Sequence, residues 1–195
     1  MGRKARQESS VGLYHVLTRG NNKLQLFNSK QDFEKFLDIL KDYLGREPLR
    51  IHHYCLMTNH IHLLVWAEEL KALSGYMHGV QRSYHHYYRK NYTWFGHLFQ
   101  GRYRSLPIEK DSYLLDCGRY IERNPVRAQM VKDPQDWSYS SYCVYAYGVQ
   151  NDLVSPSIAY EALANNRKDR QKLYRNHVES IRTYEEMIDR KFIGG

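Results

Sequence analysis

The stretch Arg50-Ile51-His52-His53-Tyr54-Cys55-Leu56-Met57-Thr58-Asn59-His60-Ile61-His62-Leu63-Leu64-Val65-Trp66 decides how this chain folds. Arg50–Met57 and His60–Trp66 are two β-like runs joined at Met57-Thr58-Asn59, which predicts a hairpin. Along a strand the side-chain period is two, so His60 and His62 share one face while Ile61 and Leu63 take the other. Two imidazoles side by side make half of a metal site. Coincidence is the ordinary alternative, because the chain has 10 histidines and His52-His53 and His85-His86 are also neighbours.

Upstream, Leu13-Tyr14-His15-Val16-Leu17 predicts a first strand, ended by the turn Arg19-Gly20-Asn21-Asn22. From Ser29, apolar residues recur at Phe33, Phe36, Leu37, Leu40 and Leu44, a helical stripe closed by Gly45 and Pro48. Downstream, Leu73, Met77, Val80, Tyr84 and Tyr88 mark a second helix over residues 70–90. Phe99–Ile108 predicts a fourth strand, with Pro107 suited to an edge. Asp111 is placed to cap a third helix, and Pro125 predicts its end near Arg123. The order β-α-β-β-α-β-α is the split β-α-β arrangement of ferredoxin-like α+β folds: an antiparallel sheet with helices on one face. Its other face is open to a substrate or covered by the rest of the chain. Residues 1–10 form a basic arm (Arg3, Lys4, Arg6), and charged helical segments are expected over 157–164 and 167–190.

The chain of 195 residues carries 29 Lys+Arg against 21 Asp+Glu, a net charge of +8, which suits a polyanionic partner. Tyrosine dominates the aromatics, 18 against 6 Phe and 3 Trp. Tyrosine stacks on unpaired bases, but most of these positions are better explained as half-buried structural residues. The three cysteines, Cys55, Cys117 and Cys143, have neither zinc-ligand nor disulfide-framework spacing. No apolar run is long enough to span a membrane, and the opening MGRKARQESS has no apolar core for a secretion signal. A cytoplasmic protein without a membrane partner is expected.

Two further constellations carry chemistry. Tyr120 and Asn124 are four residues apart and share a helix face. If that face meets the two histidines, Tyr120 offers a nucleophile and Asn124 an oxygen ligand; otherwise they are a core tyrosine and a helix stop. Between Glu69 and Glu109 there is no acidic residue, while Arg82, Arg89, Lys90, Arg102 and Arg104 alternate with aromatics that include Tyr84, Tyr88, Trp94, Phe95 and Tyr103. Cations neutralise phosphates and aromatic faces stack on splayed bases, so this stretch is a candidate nucleic-acid surface. Arg19, in the first turn, joins it.

Several motifs together resemble the single-tyrosine HUH transposases, and within them the REP-associated tyrosine transposases. They are Tyr14-His15-Val16 running into Arg19-Gly20-Asn21, Tyr54–Val65 with the paired histidines, Phe99-Gln100-Gly101-Arg102-Tyr103, Arg119-Tyr120-Ile121-Glu122-Arg123-Asn124-Pro125-Val126-Arg127-Ala128, and Trp137-Ser138-Tyr139-Ser140-Ser141-Tyr142. The resemblance covers residues 11–145 as a catalytic domain and leaves 146–195 as a helical extension it does not match. It implies His60, His62 and Asn124 as ligands of Mg²⁺ or Mn²⁺ and Tyr120 as the nucleophile. It also implies cleavage and rejoining of single-stranded DNA at hairpin-forming repeats, through a 5′-phosphotyrosine, by a monomer or homodimer. The alternatives are a hairpin-binding protein that no longer cuts, and a metal nuclease that uses water.

Overall fold

Strand and helix alternate much as the periodicities predict, in a computed structural model that describes residues 6–109 and 113–180. The elements are β1 (Leu13–Arg19), α1 (Lys30–Leu44), β2 (Leu49–Leu56), β3 (His60–Ala67), α2 (Leu70–Asn91), β4 (Arg104–Ile108) and α3 (Leu114–Arg127). Three helices follow: α4 (Tyr142–Tyr147), α5 (Ile158–Glu161) and α6 (Arg167–Glu179). The sheet order is β2-β3-β1-β4 with every neighbouring pair antiparallel, the expected ferredoxin-like α+β arrangement. The cap assigned to Asp111, the arm residues Arg3 and Lys4, and residues 181–190 of the last expected helix lie outside the described residues.

The two faces of the sheet are covered differently. Tyr14 and Val16 of β1 and Ile61, Leu63 and Val65 of β3 pack against Phe36 and Leu40 of α1 and Met77, Val80 and Tyr84 of α2. The opposite face, with Leu13, Leu17, Cys55 and Leu64, is closed by Leu114, Cys117, Tyr120 and Ile121 of α3. Of the two options for that face, the rest of the chain covers it. An irregularity between Ile51 and His53 changes the side-chain parity of β2. The exposed edge of β2 is sealed by the Trp137–Tyr142 stretch: Leu56 N donates to Tyr139 O at 2.9 Å and Ser141 N to Tyr54 O at 3.0 Å. Pro107 lies on β4, the other edge, where its missing N–H breaks no ladder.

Two boundaries differ from expectation. Strand β4 begins at Arg104 rather than Phe99, because Gly101 adopts φ +68° in a turn closed by Gly101 N donating to Phe99 O. Helix α3 does not stop at Arg123 but continues through Pro125 to Arg127. Proline cannot donate to the carbonyl of Ile121, and the side-chain amide of Asn124 takes that place. Its Nδ2 donates to Ile121 O at 3.3 Å and to Tyr120 O at 2.8 Å.

Most of the tyrosines are structural. Tyr76 and Tyr84 are fully buried and donate their hydroxyls to Leu40 O and Leu26 O at 2.8 and 2.6 Å. Such a ring contributes about 1.5–3 kcal/mol by burial provided its hydroxyl finds a partner. Tyr142, Tyr145, Tyr160 and Tyr174 build a separate small core with Ala146 and Val178 that holds α4, α5 and α6 together. This core docks on α3 through the fully buried Glu122, whose carboxylate accepts from His53 of β2, Ser141 and Tyr174 of α6.

Candidate active site

Strand alternation places His60 and His62 on the face that α3 covers. Antiparallel register sets Leu17 opposite His62 and Arg19 opposite His60, so β1 supplies the flank of the histidine pair. The two imidazole rings lie 5.0 Å apart, nearly perpendicular. His60 Nδ1 sits 2.7 Å from Asn59 Oδ1. An amide oxygen only accepts, so the proton is on His60 Nδ1 and the lone pair on Nε2. His62 Nδ1 lies 3.0 Å from Nε2 of a third histidine, His15, two residues along β1 from Leu17.

All three histidines are neutral at physiological pH. Burial pushes His60 down to about 4, with the nearby Arg19 charge adding to it. Burial pushes His15 down to about 3. His62 lies well below its ordinary value, first through burial, then because its protonated form would be repelled by protonated His60 or His15 and is repelled by Arg19 and Arg127. A neutral imidazole is the form that binds a metal.

Helix α3 brings Tyr120 to the same place. Its ring centroid is 5.6 Å from that of His15 and 5.8 Å from that of His62, edge-on to both. The ring is only 3 % exposed. The guanidinium of Arg127, two turns further along the helix and solvent-exposed, lies 4.9 Å from the centre of the Tyr120 ring. Asn124 is buried between them in sequence, its amide nitrogen turned back onto the helix carbonyls, which leaves the amide oxygen as the atom free of that role.

Among the described residues no group of three His, Cys, Asp or Glu side chains is arranged to hold a metal ion. Two neutral imidazoles are borderline nitrogen donors, better matched to a transition ion such as Mn²⁺ than to Mg²⁺, which prefers oxygen; an amide oxygen or water would complete the set. His15 was not singled out from the sequence, and neither was Arg127. The alternation Leu13-His15-Leu17 could have placed His15 on the histidine face; only the β1–β3 register shows that it meets His62.

The expected DNA contacts fall into separate groups. Arg82, Arg89 and Lys90 project from the outer face of α2 and, with His85 and His86, line an open groove of about 470 Å³. A second groove, about 340 Å³, continues from Arg82 to His97 and Arg102. The loop carrying those last two is fastened to the end of β1 by Gln100 N donating to Arg19 O and Asn21 N to Leu98 O, both at 2.8 Å. The basic track therefore leads toward the histidine end of the sheet. Arg19 stands apart from it, beside His60. Arg104 is exposed on the edge strand β4. Tyr103 is not on this surface: it is buried under the guanidinium of Arg6, and its hydroxyl is bonded to Ser74 at 3.0 Å. Tyr84 and Tyr88 likewise face the core.

Fold and site together define a class: a ferredoxin-like protein whose paired strand histidines face a tyrosine on a following helix. The sequence profile of the IS200-like transposases matches residues 9–124, and the chain belongs to this family of DNA transposases. No curated protein matches the chain. Among solved structures, a REP-associated tyrosine transposase bound to a REP hairpin shares the fold with a TM-score of 0.64, at 17% identity over 81% of this chain and 93% of its own. A Deinococcus radiodurans R1 structure, provisionally assigned as a transposase, is 20% identical over 70% of this chain and 98% of its own, with a TM-score of 0.41. Among the described residues no helix is long and apolar enough to cross a membrane.

Proposed function

We propose that the protein cleaves and rejoins single-stranded DNA at hairpin-forming repeats, with Tyr120 as the nucleophile, as a member of the REP-associated branch. The observation that carries this reading is the packing of the Tyr120 ring within 6 Å of the rings of His15 and His62 of the same chain. Nucleophile and histidine pair then come from one molecule, so a monomer has a complete site. Residues 11–145 form the catalytic unit, and the helices beyond them brace the tyrosine helix through Glu122.

In cleavage, the Tyr120 hydroxyl oxygen bonds to phosphorus while the bond from phosphorus to the 3′-oxygen breaks. The leaving 3′-oxygen ends with a proton and the 5′-phosphate ends on tyrosine. Rejoining reverses both changes, and the phosphotyrosine conserves the bond energy between them. His60 and His62, with Asn124, would hold Mg²⁺ or Mn²⁺, which supplies positive charge to polarise the scissile phosphate. Arg127 lies against the tyrosine ring at the solvent edge, where its charge favours the developing phenolate and attracts a phosphate. Arg82, Arg89, Lys90 and Arg102 hold the hairpin on the outer face of α2, and Arg19 meets the strand where it approaches His60.

The test is to trap the adduct. A single-stranded hairpin with an unpaired flank, incubated with the protein and Mn²⁺, yields a denaturation-resistant DNA–protein band that is absent with Tyr120→Phe. Cleavage without an adduct points to a nuclease that uses water. Hairpin binding without cleavage under any divalent ion points to a non-catalytic binding protein.

A further inference from the structure

We propose that His15 is a positioning residue for the histidine pair, one that selects the tautomer in which His62 can bind a metal. The inference rests on the reading of His60 and His62 as metal ligands. It starts from a single contact, His15 Nε2 to His62 Nδ1 at 3.0 Å, between two side chains that are 1 % and 3 % exposed.

Two neutral imidazoles facing each other nitrogen to nitrogen share one proton, so one ring donates and the other accepts. If His15 donated, His62 would keep its own proton on Nε2, and neither of its nitrogens would offer a lone pair to a metal. If His62 donates from Nδ1, His15 accepts at Nε2 and carries its own proton on the buried Nδ1, and His62 Nε2 keeps its lone pair. The second state matches His60, whose Nδ1 is fixed as the donor by Asn59 Oδ1 at 2.7 Å. Both histidines of the pair then present the same nitrogen, Nε2. Metal-binding histidines commonly donate their second N–H to a carboxylate or carbonyl, which orients the ring and raises its basicity. Here a neutral third histidine does that work. A carboxylate in its place would bring a negative charge against the scissile phosphate; a neutral acceptor orients the ring without doing so.

The register explains how this residue comes to serve. His15 is opposite Leu64 and Leu17 is opposite His62, so His15 is the diagonal neighbour of His62 on the shared face. The Tyr120 ring lies edge-on to both, 5.6 Å from His15 and 5.8 Å from His62, so the pair also forms part of the surface on which the nucleophile rests.

The experiment uses three forms of the full chain: wild type, His15→Leu and His15→Gln. Leucine fills the buried position, beside Leu13 and Leu17 on the same face, but cannot accept a hydrogen bond. Glutamine carries an oxygen at the reach of the lost Nε2 and can. In the metal-free wild type, side-chain ¹⁵N spectra show His62 protonated at Nδ1; a wild-type His62 protonated at Nε2 overturns the inference. Mn²⁺ affinity, measured by calorimetry, falls about 10–100-fold in His15→Leu and recovers in His15→Gln, with hairpin affinity the same in all three. Mn²⁺ binding that is indifferent to His15→Leu overturns the inference alone. A wild type that binds no Mn²⁺ overturns the metal reading itself, while the nitrogen spectrum still reports on the His15–His62 contact. If His15→Leu fails to fold, the wild-type nitrogen spectrum decides the inference, and a glutamine variant that has lost Mn²⁺ binding despite native folding overturns it.

Discussion

Tyr174 of α6 donates its hydroxyl to Glu122 at 2.6 Å, and Glu122 stands two residues beyond Tyr120 on α3. Both side chains are fully buried. The same carboxylate accepts from His53 of β2 at 2.9 Å and from Ser141 at 2.6 Å, so sheet, α3 and the C-terminal helices meet on one group. Removing one donor leaves a buried acceptor under-satisfied, which costs about 1–3 kcal/mol. Tyr174→Phe is therefore expected to lower the unfolding free energy by that amount, read as a lower urea midpoint with little change in m-value. Adduct formation should fall more than hairpin affinity, since the α2 groove is on the other face of the sheet. An unchanged midpoint would mean that Ser141 and His53 suffice.

How much of this was legible beforehand depended on whether a feature is local. The hairpin of β2 and β3, the shared face of His60 and His62, and the stripes of α1 and α2 follow from periods of 2 and 3.6 along the chain, and all appear. The His15–His62 contact depends on strand register, which is a property of two segments that no one segment states. The continuation of α3 through Pro125 was hidden because the proline rule concerns the backbone and the remedy is the Asn124 side chain. Phe99–Tyr103 has the composition of a strand, but Gly101 turns it. The aromatic run misled in part: Tyr84, Tyr88 and Tyr103 are turned inward, whereas Phe95 is 80 % exposed at a loop tip.

Charge reversal on the outer face of α2 tests the DNA path. Arg82 and Arg89 are solvent-exposed and line the same groove. Each lost phosphate contact reduces the slope of log affinity against log salt by about 0.7 on a single strand and about 0.9 on a duplex stem. Arg82→Glu with Arg89→Glu should weaken hairpin binding and flatten that slope by about 1–2 units. A slope equal to the wild type's would place the DNA on another surface, with the Arg19 and Arg104 side the next to examine.

Asp32 predicts a specific acid sensitivity. Burial alone would raise its pKa, but hydrogen bonds from Tyr92, Asn28, Tyr87 and Ser29 outweigh it and hold the carboxyl below its ordinary value of 3.8. A depressed folded value means that the ionised form is preferred by the folded state. The resulting stability is complete above about pH 3.8 and is lost as pH falls through the lower folded value. One such group contributes a slope of at most about 1.4 kcal/mol per pH unit. Asp32→Asn should therefore be less stable at neutral pH and lose less on going from pH 5 to pH 2, read from urea midpoints across that range. Parallel acid limbs for the two proteins would show that Asp32 has no shifted titration.

Asn124 carries two jobs that one substitution can separate. Its amide nitrogen mends the helix where Pro125 has no N–H, donating to Tyr120 O at 2.8 Å and Ile121 O at 3.3 Å. Its oxygen is the proposed third ligand. Asn124→Ala removes both, so stability should drop by about 0.5–1.5 kcal/mol, the net worth of an ordinary hydrogen bond, and cleavage should require more Mn²⁺. Asn124→Gln keeps the chemistry one methylene further out. The double change Asn124→Ala with Pro125→Ala restores a backbone donor at position 125 without restoring the oxygen. If the helix alone matters, the double variant regains cleavage at the wild-type Mn²⁺ concentration. If the oxygen is a ligand, the double variant regains stability but still needs excess metal, while His62→Ala is inactive at every concentration. A midpoint for Mn²⁺ that stays with the wild type in Asn124→Ala would remove Asn124 from the metal site and leave water as the third donor.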